Sequence, residues 1–205
     1  MNLAPREVAL ESGERIRFDA LVSTVPLPEL LGMLRGASDL EALASPLDWS
    51  IVLCLNLGIE REGVGGGAHW IYFPDSDVPF YHVGFPTSFS GSVAPPSASS
   101  LYVEFGLRRG ETSDLAALEK AALEGLEREG ILRPSDRIAV RDWIRIDPGY
   151  VIFDRARRLS VARALPALEA AGIHSIGRYG AWTYSYMERA LLDGLEAAER
   201  LRRGP

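Results

Sequence analysis

The segment at residues 175–194, SIGRYGAWTYSYMERALLDG, holds the residue types in this chain of 205 residues that are best suited to bind a ligand. Two glycines, an arginine, a tryptophan and three tyrosines stand directly ahead of a pattern that predicts an amphipathic helix. Glycine lets the backbone approach a ligand closely, and arginine has the bidentate geometry that suits phosphate. The unpaired amides of a helix start add about half a positive charge, which favours an anion or an electron-rich ring edge.

Two interpretations of this segment follow from local physics. In the first, the glycine turn and Arg178 contact a bound ligand beside an aromatic wall. In the second, the segment is a structural turn whose aromatic side chains pack on a sheet. The residues on which the first interpretation rests are Gly177, Arg178, Gly180, Trp182, Tyr184 and Tyr186.

The last helix is predicted to begin near Ser185, because Ser185 and Glu188 in SYME have the spacing of a capping box. Its apolar residues recur at the spacing of one helical face. They are Met187, Ala190, Leu191, Gly194, Leu195 and Ala198.

The rest of the chain predicts an α+β fold with a mostly antiparallel sheet and flanking helices, in a single domain over residues 1–205. Strands are predicted at 50–59, 69–73, 80–85, 100–108 and 138–146. Two further strands over residues 7–25 are predicted to form a hairpin that turns at Ser12-Gly13. One helix is predicted to start near Ser113 and to stop at Gly130. Another runs from about 155 to 171 and is interrupted or restarted at Pro166.

The composition limits the classes of partner and compartment. A net charge of -6 disfavours nucleic acid and anionic membranes, and no apolar run is long enough to span a bilayer. Cys54 is the single cysteine, so a reducing compartment, the cytoplasm, is expected, with the thiol buried in the core. His69, His82 and His174 lack metal-ligand spacing, so no metal site is expected.

The glycine run GVGGGA formally matches the dinucleotide fingerprint through Gly63, Gly65 and Ala68. That fingerprint requires a strand before the turn and a helix after it. The sequence HWIYFPD that follows has a strand pattern, so the run is predicted to be a hairpin loop.

Three separated stretches resemble one family. GRYGAWTYSYMERALLDG resembles the C-terminal flavin-contacting motif of the FAD-dependent amine oxidase, protoporphyrinogen oxidase and UDP-galactopyranose mutase-like superfamily, in its mutase-like GR-x-G-x-W/Y-x-Y-x-x-M form. FDALVSTVPLPEL resembles the strand and proline turn that lead from the FAD domain of these proteins towards the substrate domain. Residues 69–105 resemble substrate-domain strands, and DPGYVIFDRARRLSVARALPALEAAGIHSIGRYG resembles the run into the last helix.

This resemblance covers nearly the whole chain, but only the C-terminal part of the family. It implies the substrate-binding domain of a two-domain flavoprotein, whose GxGxxG Rossmann segment would precede Met1. FAD is then the cofactor of the complete protein, and this chain alone is expected to bind it weakly or not at all. The implied partners are an FAD-binding Rossmann half or subunit and a small-molecule substrate, and self-association through an exposed flavin-side face is a further expectation.

The resemblance also implies residue roles. Residues 175–201 become the flavin-contacting turn and helix, and the catalytic residues stay open. The cofactor-binding residues are Gly177, Arg178, Gly180, Trp182, Tyr184 and Met187. The substrate-binding residues are His82, Tyr150, Tyr184 and Tyr186.

Two positions depart from the mutase pattern. His82 stands where an arginine is expected, and Tyr186 stands where typical mutases have an acidic residue. Both departures weaken recognition of a diphosphate. They keep an alternative open, in which the chain is a stand-alone module that binds a small ligand or a protein without redox activity.

Overall fold

The computed structural model describes residues 6–74 and 77–203, and the chain divides into two compact units. Unit 1 comprises Met1–Trp49 and Tyr150–Pro205, and unit 2 comprises Ser50–Gly149. The α+β class with an antiparallel sheet is confirmed. The single domain over residues 1–205 stays a prediction beside this division into two units.

The elements follow one another in mixed order along the chain. The strands are β1 (Glu7–Ala9), β2 (Arg15–Arg17), β3 (Leu21–Ser23), β4 (Trp49–Ile59), β5 (Trp70–Tyr72), β6 (His82–Gly84), β7 (Ser99–Arg108), β8 (Ile138–Val151) and β9 (Ile173–Ser175). The helices are α1 (Leu27–Gly32), α2 (Ser38–Glu41), α3 (Pro86–Phe89), α4 (Leu115–Arg128), α5 (Arg155–Ala170), α6 (Gly177–Gly180) and α7 (Met187–Arg203), and a 3₁₀ turn spans Gly91–Val93. Over the described residues, none of these helices is long and apolar enough to cross a membrane.

Unit 2 is built on a five-stranded sheet in the order β5-β6-β7-β4-β8. Strands alternate their side chains between two faces, so one face carries Leu55, Val103 and Phe105 into a core that Leu126 of α4 completes. The strand register places the remaining residues of β7 and β4 on the opposite face. Across four strands, that face carries the aligned residues Tyr72, His82, Glu104 and Cys54.

Most of the predicted strands are confirmed within one or two residues at each end, but β8 is longer than the sequence suggested. It continues to Val151, past the predicted end at residue 146, and carries Pro148 inside it. Among the residues that the structure describes, β8 is an edge strand of this sheet, and a proline is tolerated on such an edge.

Cys54 is buried, as predicted, but on the face of the sheet opposite the core cluster. Burial, followed by the charges of Glu104 and Asp142, raises the pKa of its thiol to about 11. The thiol is therefore protonated at neutral pH.

Unit 1 combines the β1-β2 hairpin with a parallel pair of strands, β3 and β9. Gly13 has the positive φ, 87°, that the predicted hairpin turn requires. The strand predicted after that turn was too long. It is divided into β2, which ends at Arg17, and β3, which pairs with β9 instead of with its neighbour in sequence. Residues buried between the parallel pair and the helices form the core, and these include Leu27, Leu31, Ala164, Leu168, Ile173 and Trp182.

Helix α5 passes through Pro166 without a break, so the predicted interruption was wrong. Proline removes the hydrogen bond to the carbonyl four residues earlier, here that of Ala162. Both Pro166 and Ala162 are exposed, so water can bind the carbonyl that the proline leaves without a donor.

The glycine run at 63–67 is a turn that leads into the strand β5, which removes the dinucleotide alternative. The predicted hairpin was wrong, because β4 and β5, which this loop connects, are not neighbours in the sheet. Gly63, Gly65 and Gly67 all have positive φ. No helix follows them within the described residues that precede β6.

A partly buried ion pair links two loops of unit 2. Arg61 donates from Nε to Asp136 Oδ1 at 2.7 Å and from Nη2 to Asp136 Oδ2 at 2.8 Å. The same Nη2 donates to the carbonyl of Ile131 at 3.0 Å, and the amide of Arg133 donates to Asp136 at 2.9 Å. The hydrogen bond from Arg61 holds the pKa of the Asp136 carboxyl below its ordinary value.

We predict that Asp136→Asn lowers the free energy of unfolding by about 2 kcal/mol at neutral pH, because charge-assisted hydrogen bonds to a buried carboxylate are lost. Since the folded-state pKa of Asp136 is the lower one, its contribution is present above about pH 5 and disappears as the pH falls through that pKa. Urea unfolding across pH measures both effects. The exposed Glu127→Gln is the control, and equal stability of Asp136→Asn and wild type at pH 7 contradicts the assignment.

Candidate functional site

The turn that follows β9 is fixed by one left-handed residue. The amide of Ile176 donates to the carbonyl of Ser23 at 2.9 Å, so the chain leaves β9 still attached to β3. Gly177 then takes a φ of 76°, which L-residues with side chains rarely adopt, and α6 begins there. A Cβ on Gly177 would meet no atom within 4 Å, so the requirement for glycine here is conformational and not steric.

Gly180 is required for a different reason. A Cβ at this position would lie 2.9 Å from the carbonyl oxygen of Ser23 and 3.1 Å from Oγ of Ser175. The Ser175 hydroxyl also donates to the carbonyl of Gly180 at 2.9 Å. The backbone of Gly180 is therefore packed on β3 and β9, which is a close approach to the protein itself.

Trp182 anchors the turn in the core of unit 1. Its side chain is 0% exposed and meets the ring of Trp49 edge to face, with the ring centroids 5.6 Å apart. Its φ is 50°, and its carbonyl accepts a hydrogen bond of 2.8 Å from Nε of Arg157. Among the described residues its indole nitrogen has no hydrogen-bond partner. The buried ring supports the turn from below instead of forming part of an exposed wall.

Arg178 lies above this anchor, among aromatic rings. Its guanidinium carbon is 4.7 Å from the ring centroid of Tyr150, 5.4 Å from that of Tyr184 and 5.7 Å from that of Tyr179. The rings of Tyr150 and Tyr184 are nearly parallel, with centroids 6.4 Å apart. Nη1 of Arg178 donates to the carbonyl of Ser185 at 3.4 Å. Cation–π contacts thus fix a positive charge within the turn.

The residues that lead into α7 face solvent. Tyr184 is 67% exposed and Met187 is 87% exposed, and Tyr186 between them is exposed as well. The predicted capping box was wrong, since α7 begins at Met187 and the Ser185 hydroxyl donates to the carbonyl of Tyr186 at 3.4 Å. The helix start itself falls within two residues of the predicted position.

The apolar stripe of α7 lies on the outside of unit 1. Leu191 is 71% exposed and Leu195 is 62% exposed, and the small residues of the stripe, Ala190, Gly194 and Ala198, are exposed too. Ala197 supplies the buried side of the helix instead. The periodicity of the sequence therefore identified an apolar face, and that face does not contribute to the core of unit 1.

The predicted site residues fall into two groups. Arg178, Tyr150 and Tyr184 lie together in unit 1, where Tyr186 and Met187 follow them along the chain. His82 belongs to unit 2, where its Nδ1 is 3.0 Å from Glu104 Oε2 and its ring stacks on Tyr72 with centroids 4.5 Å apart.

Sequence reasoning missed the partners of His82. Glu104 Oε2 also accepts a hydrogen bond of 2.7 Å from the hydroxyl of Tyr81, while Nε2 of His82 is buried with no hydrogen-bond partner among the described residues. The alternation in SLYVEFGLR carried a signal, because it places Glu104 on the face opposite Val103 and Phe105. Arg157 and Trp49, which hold the Trp182 turn, had no comparable signal.

Comparison with known proteins decides the architecture. No protein-family model matches the chain. A solved structure of reduced UDP-galactopyranose mutase aligns over 98% of the chain with a TM-score of 0.90 and 25% sequence identity. The chain has the fold of the C-terminal part of the amine oxidase, protoporphyrinogen oxidase and UDP-galactopyranose mutase-like superfamily.

Two further structures share this mutase-like fold at lower identity. An oxidoreductase from Methanosarcina mazei aligns over 92% of the chain with a TM-score of 0.64 and 14% identity. A candidate protoporphyrinogen oxidase from Exiguobacterium sp. 255-15 aligns over 95% with a TM-score of 0.61 and 13% identity. The chain spans 44% of the length of each of these three proteins.

We predict that Gly180→Ala destabilises unit 1 by about 1–3 kcal/mol, because the added methyl group overlaps the Ser23 carbonyl and displaces the turn. Urea unfolding followed by tryptophan fluorescence measures the change near Trp49 and Trp182. Gly194→Ala is the matched control, because its Cβ meets nothing within 4 Å and α7 gains helix propensity. A Gly180→Ala protein as stable as wild type contradicts the packing role.

Proposed function

We propose that this chain supplies the substrate-binding and flavin-capping part of an FAD-dependent oxidoreductase or UDP-galactopyranose mutase-like enzyme, and that it works with an FAD-binding Rossmann half. The observation that carries the proposal is the surface formed by Met187 and the Arg178 cluster, which is Arg178 with Tyr150, Tyr179 and Tyr184 around its guanidinium. It occurs at the motif that resembles the flavin-contacting turn, in a chain with the mutase-like fold.

The charge of the turn suits an electron-rich cofactor. Across residues 177–186, Arg178 is the single charged side chain, and the turn therefore carries a net positive charge. The first amides of α7 add their partial positive charge beside it. Groups that are already oriented stabilise negative charge without reorganising, which is the contribution expected from a protein to flavin chemistry.

The residues proposed to hold FAD are Gly177 and Gly180 through their backbone, and Arg178, Tyr184 and Met187 through their side chains. Trp182 supports them from the core. When bound, FAD would supply either hydride acceptance or nucleophilic chemistry at its N5 atom. The substrate contacts proposed in unit 1 are Tyr150, Tyr184 and Tyr186. His82 of unit 2 is a separate prediction of a substrate contact.

Two surfaces of unit 1 support the need for an FAD-binding half. The stripe at Met187, Leu191 and Leu195 exposes apolar side chains along three turns of α7. The β3-β9 pair is a parallel sheet of two strands over the described residues, whereas parallel sheets are usually larger and covered on both faces. An additional domain on the same chain or on a separate one would cover such surfaces.

We predict that co-expression with the FAD-binding half encoded in the same genome gives a yellow complex, and that Arg178→Met weakens its flavin affinity about tenfold to hundredfold through loss of one charge-assisted contact. Visible absorbance and flavin fluorescence titration measure this. Arg203→Met, at the exposed far end of α7, is the control. Folded paired halves that never bind flavin would refute the proposal.

A second candidate function is a stand-alone module that binds a small ligand or a protein without redox activity. The observation that favours it is His82, which replaces the arginine of the mutase-like pattern and is paired with Glu104. Calorimetric titration with UDP-sugars, tetrapyrroles and FAD separates the two functions. A specific non-flavin ligand in the absence of any FAD-binding half supports the second.

A further inference from the structure

Unit 2 contains a cavity of about 630 Å³ that none of the roles proposed above uses. It lies between the end of β4, the start of β7, the start of β8 and the loop at residues 93–98. Ligand pockets in proteins measure about 300–1,000 Å³, so this volume accommodates a small organic molecule.

Small residues at paired positions make the floor of the cavity. Gly58 and Ser100 are direct partners in the β4-β7 register, and both line it. A side chain at Gly58 would approach Val140 on β8 to 3.1 Å, so the space beside Val140 depends on this glycine.

The walls are apolar and accessible. Val140 is 54% exposed and Val93 is 51% exposed, although both are large aliphatic side chains. Pro86, Pro95 and Pro96 complete the walls and present a surface without backbone N–H groups. Covering such an apolar surface with an apolar molecule removes it from water, which lowers the free energy.

The cavity offers no positive charge to an anionic ligand. Glu60 is the charged residue among those that line it, and its carboxylate is already paired with Arg137 at 3.4 Å. The polar groups that remain are neutral, chiefly the amide of Asn56 and the hydroxyl of Ser100. The Ser100 hydroxyl is shielded from solvent and has no hydrogen-bond partner among the described residues.

From these features we infer that the cavity is a binding site for a neutral, mostly apolar small molecule that carries one hydrogen-bonding group. All the residues that line the cavity belong to unit 2. A nucleotide sugar or a flavin phosphate does not fit its chemistry, since it offers no positive charge.

The test uses two probes that share a ring and differ in charge, cyclohexanol and cyclohexanecarboxylate. Methyl NMR titration of the full chain is expected to show saturable shifts at Val93 and Val140 with cyclohexanol, and at least tenfold weaker binding of the carboxylate. The anionic probe binding as well as the neutral one overturns the inference, as do shifts scattered over the whole chain.

Two variants locate the site. Ala139→Trp from β8 and Ala94→Phe from the loop each fill the cavity, and each is expected to weaken cyclohexanol binding at least tenfold. Ala117→Trp, on an exposed position of α4 outside the cavity, is the matched control and is expected to leave binding unchanged. Unchanged binding in both filling variants, with their NMR spectra still dispersed, overturns the inference.

Discussion

The Arg178 guanidinium, fixed among Tyr150, Tyr179 and Tyr184, is the interaction on which the proposed site depends. It holds a positive charge at the surface of unit 1 and connects the turn to the start of α7 through the Ser185 carbonyl. Three constraints keep it there. Gly177 supplies the left-handed backbone, Gly180 permits contact with β3, and Trp182 anchors the turn in the core.

The longest described helix, α7, carries an apolar stripe that faces outward, which is unusual for a small domain. Amphipathic helices normally bury their apolar face, yet Met187, Leu191 and Leu195 are exposed on α7. The same residues occur where the resemblance implies a flavin-contacting helix, and the chain spans 44% of the length of the reduced mutase that it matches. Both facts favour an account in which unit 1 contributes one side of a larger binding site.

The sequence predicted long, strongly alternating elements well and the environment of single residues poorly. The strand β7 was predicted closely because apolar and polar positions alternate along it, and the same alternation placed Glu104 opposite the core. The strand β4 was predicted closely because it is a nearly continuous run of apolar residues. The parallel pairing of β3 with β9 was not predictable from local pattern, because about 150 residues separate the two strands.

The candidate site, too, could be predicted from the sequence only in part. The motif at residues 177–187 was visible in the sequence, but the burial of Trp182 was not. A tryptophan in a glycine-rich turn can either line an exposed site or pack into the core. The contacts of Arg157 with the Trp182 carbonyl and of Glu104 with His82 join residues far apart in sequence. Such contacts depend on tertiary packing, on which local periodicity carries no information.

Hydrogen–deuterium exchange of the backbone amides at residues 177–187, with and without saturating FAD and the FAD-binding half, tests the central claim most directly. The account predicts that ligand protects these amides strongly while the exchange of β4 and β7 stays unchanged. Equal exchange of residues 177–187 in the free chain and in a flavin-loaded complex would contradict it, because the turn would then take no part in holding the cofactor.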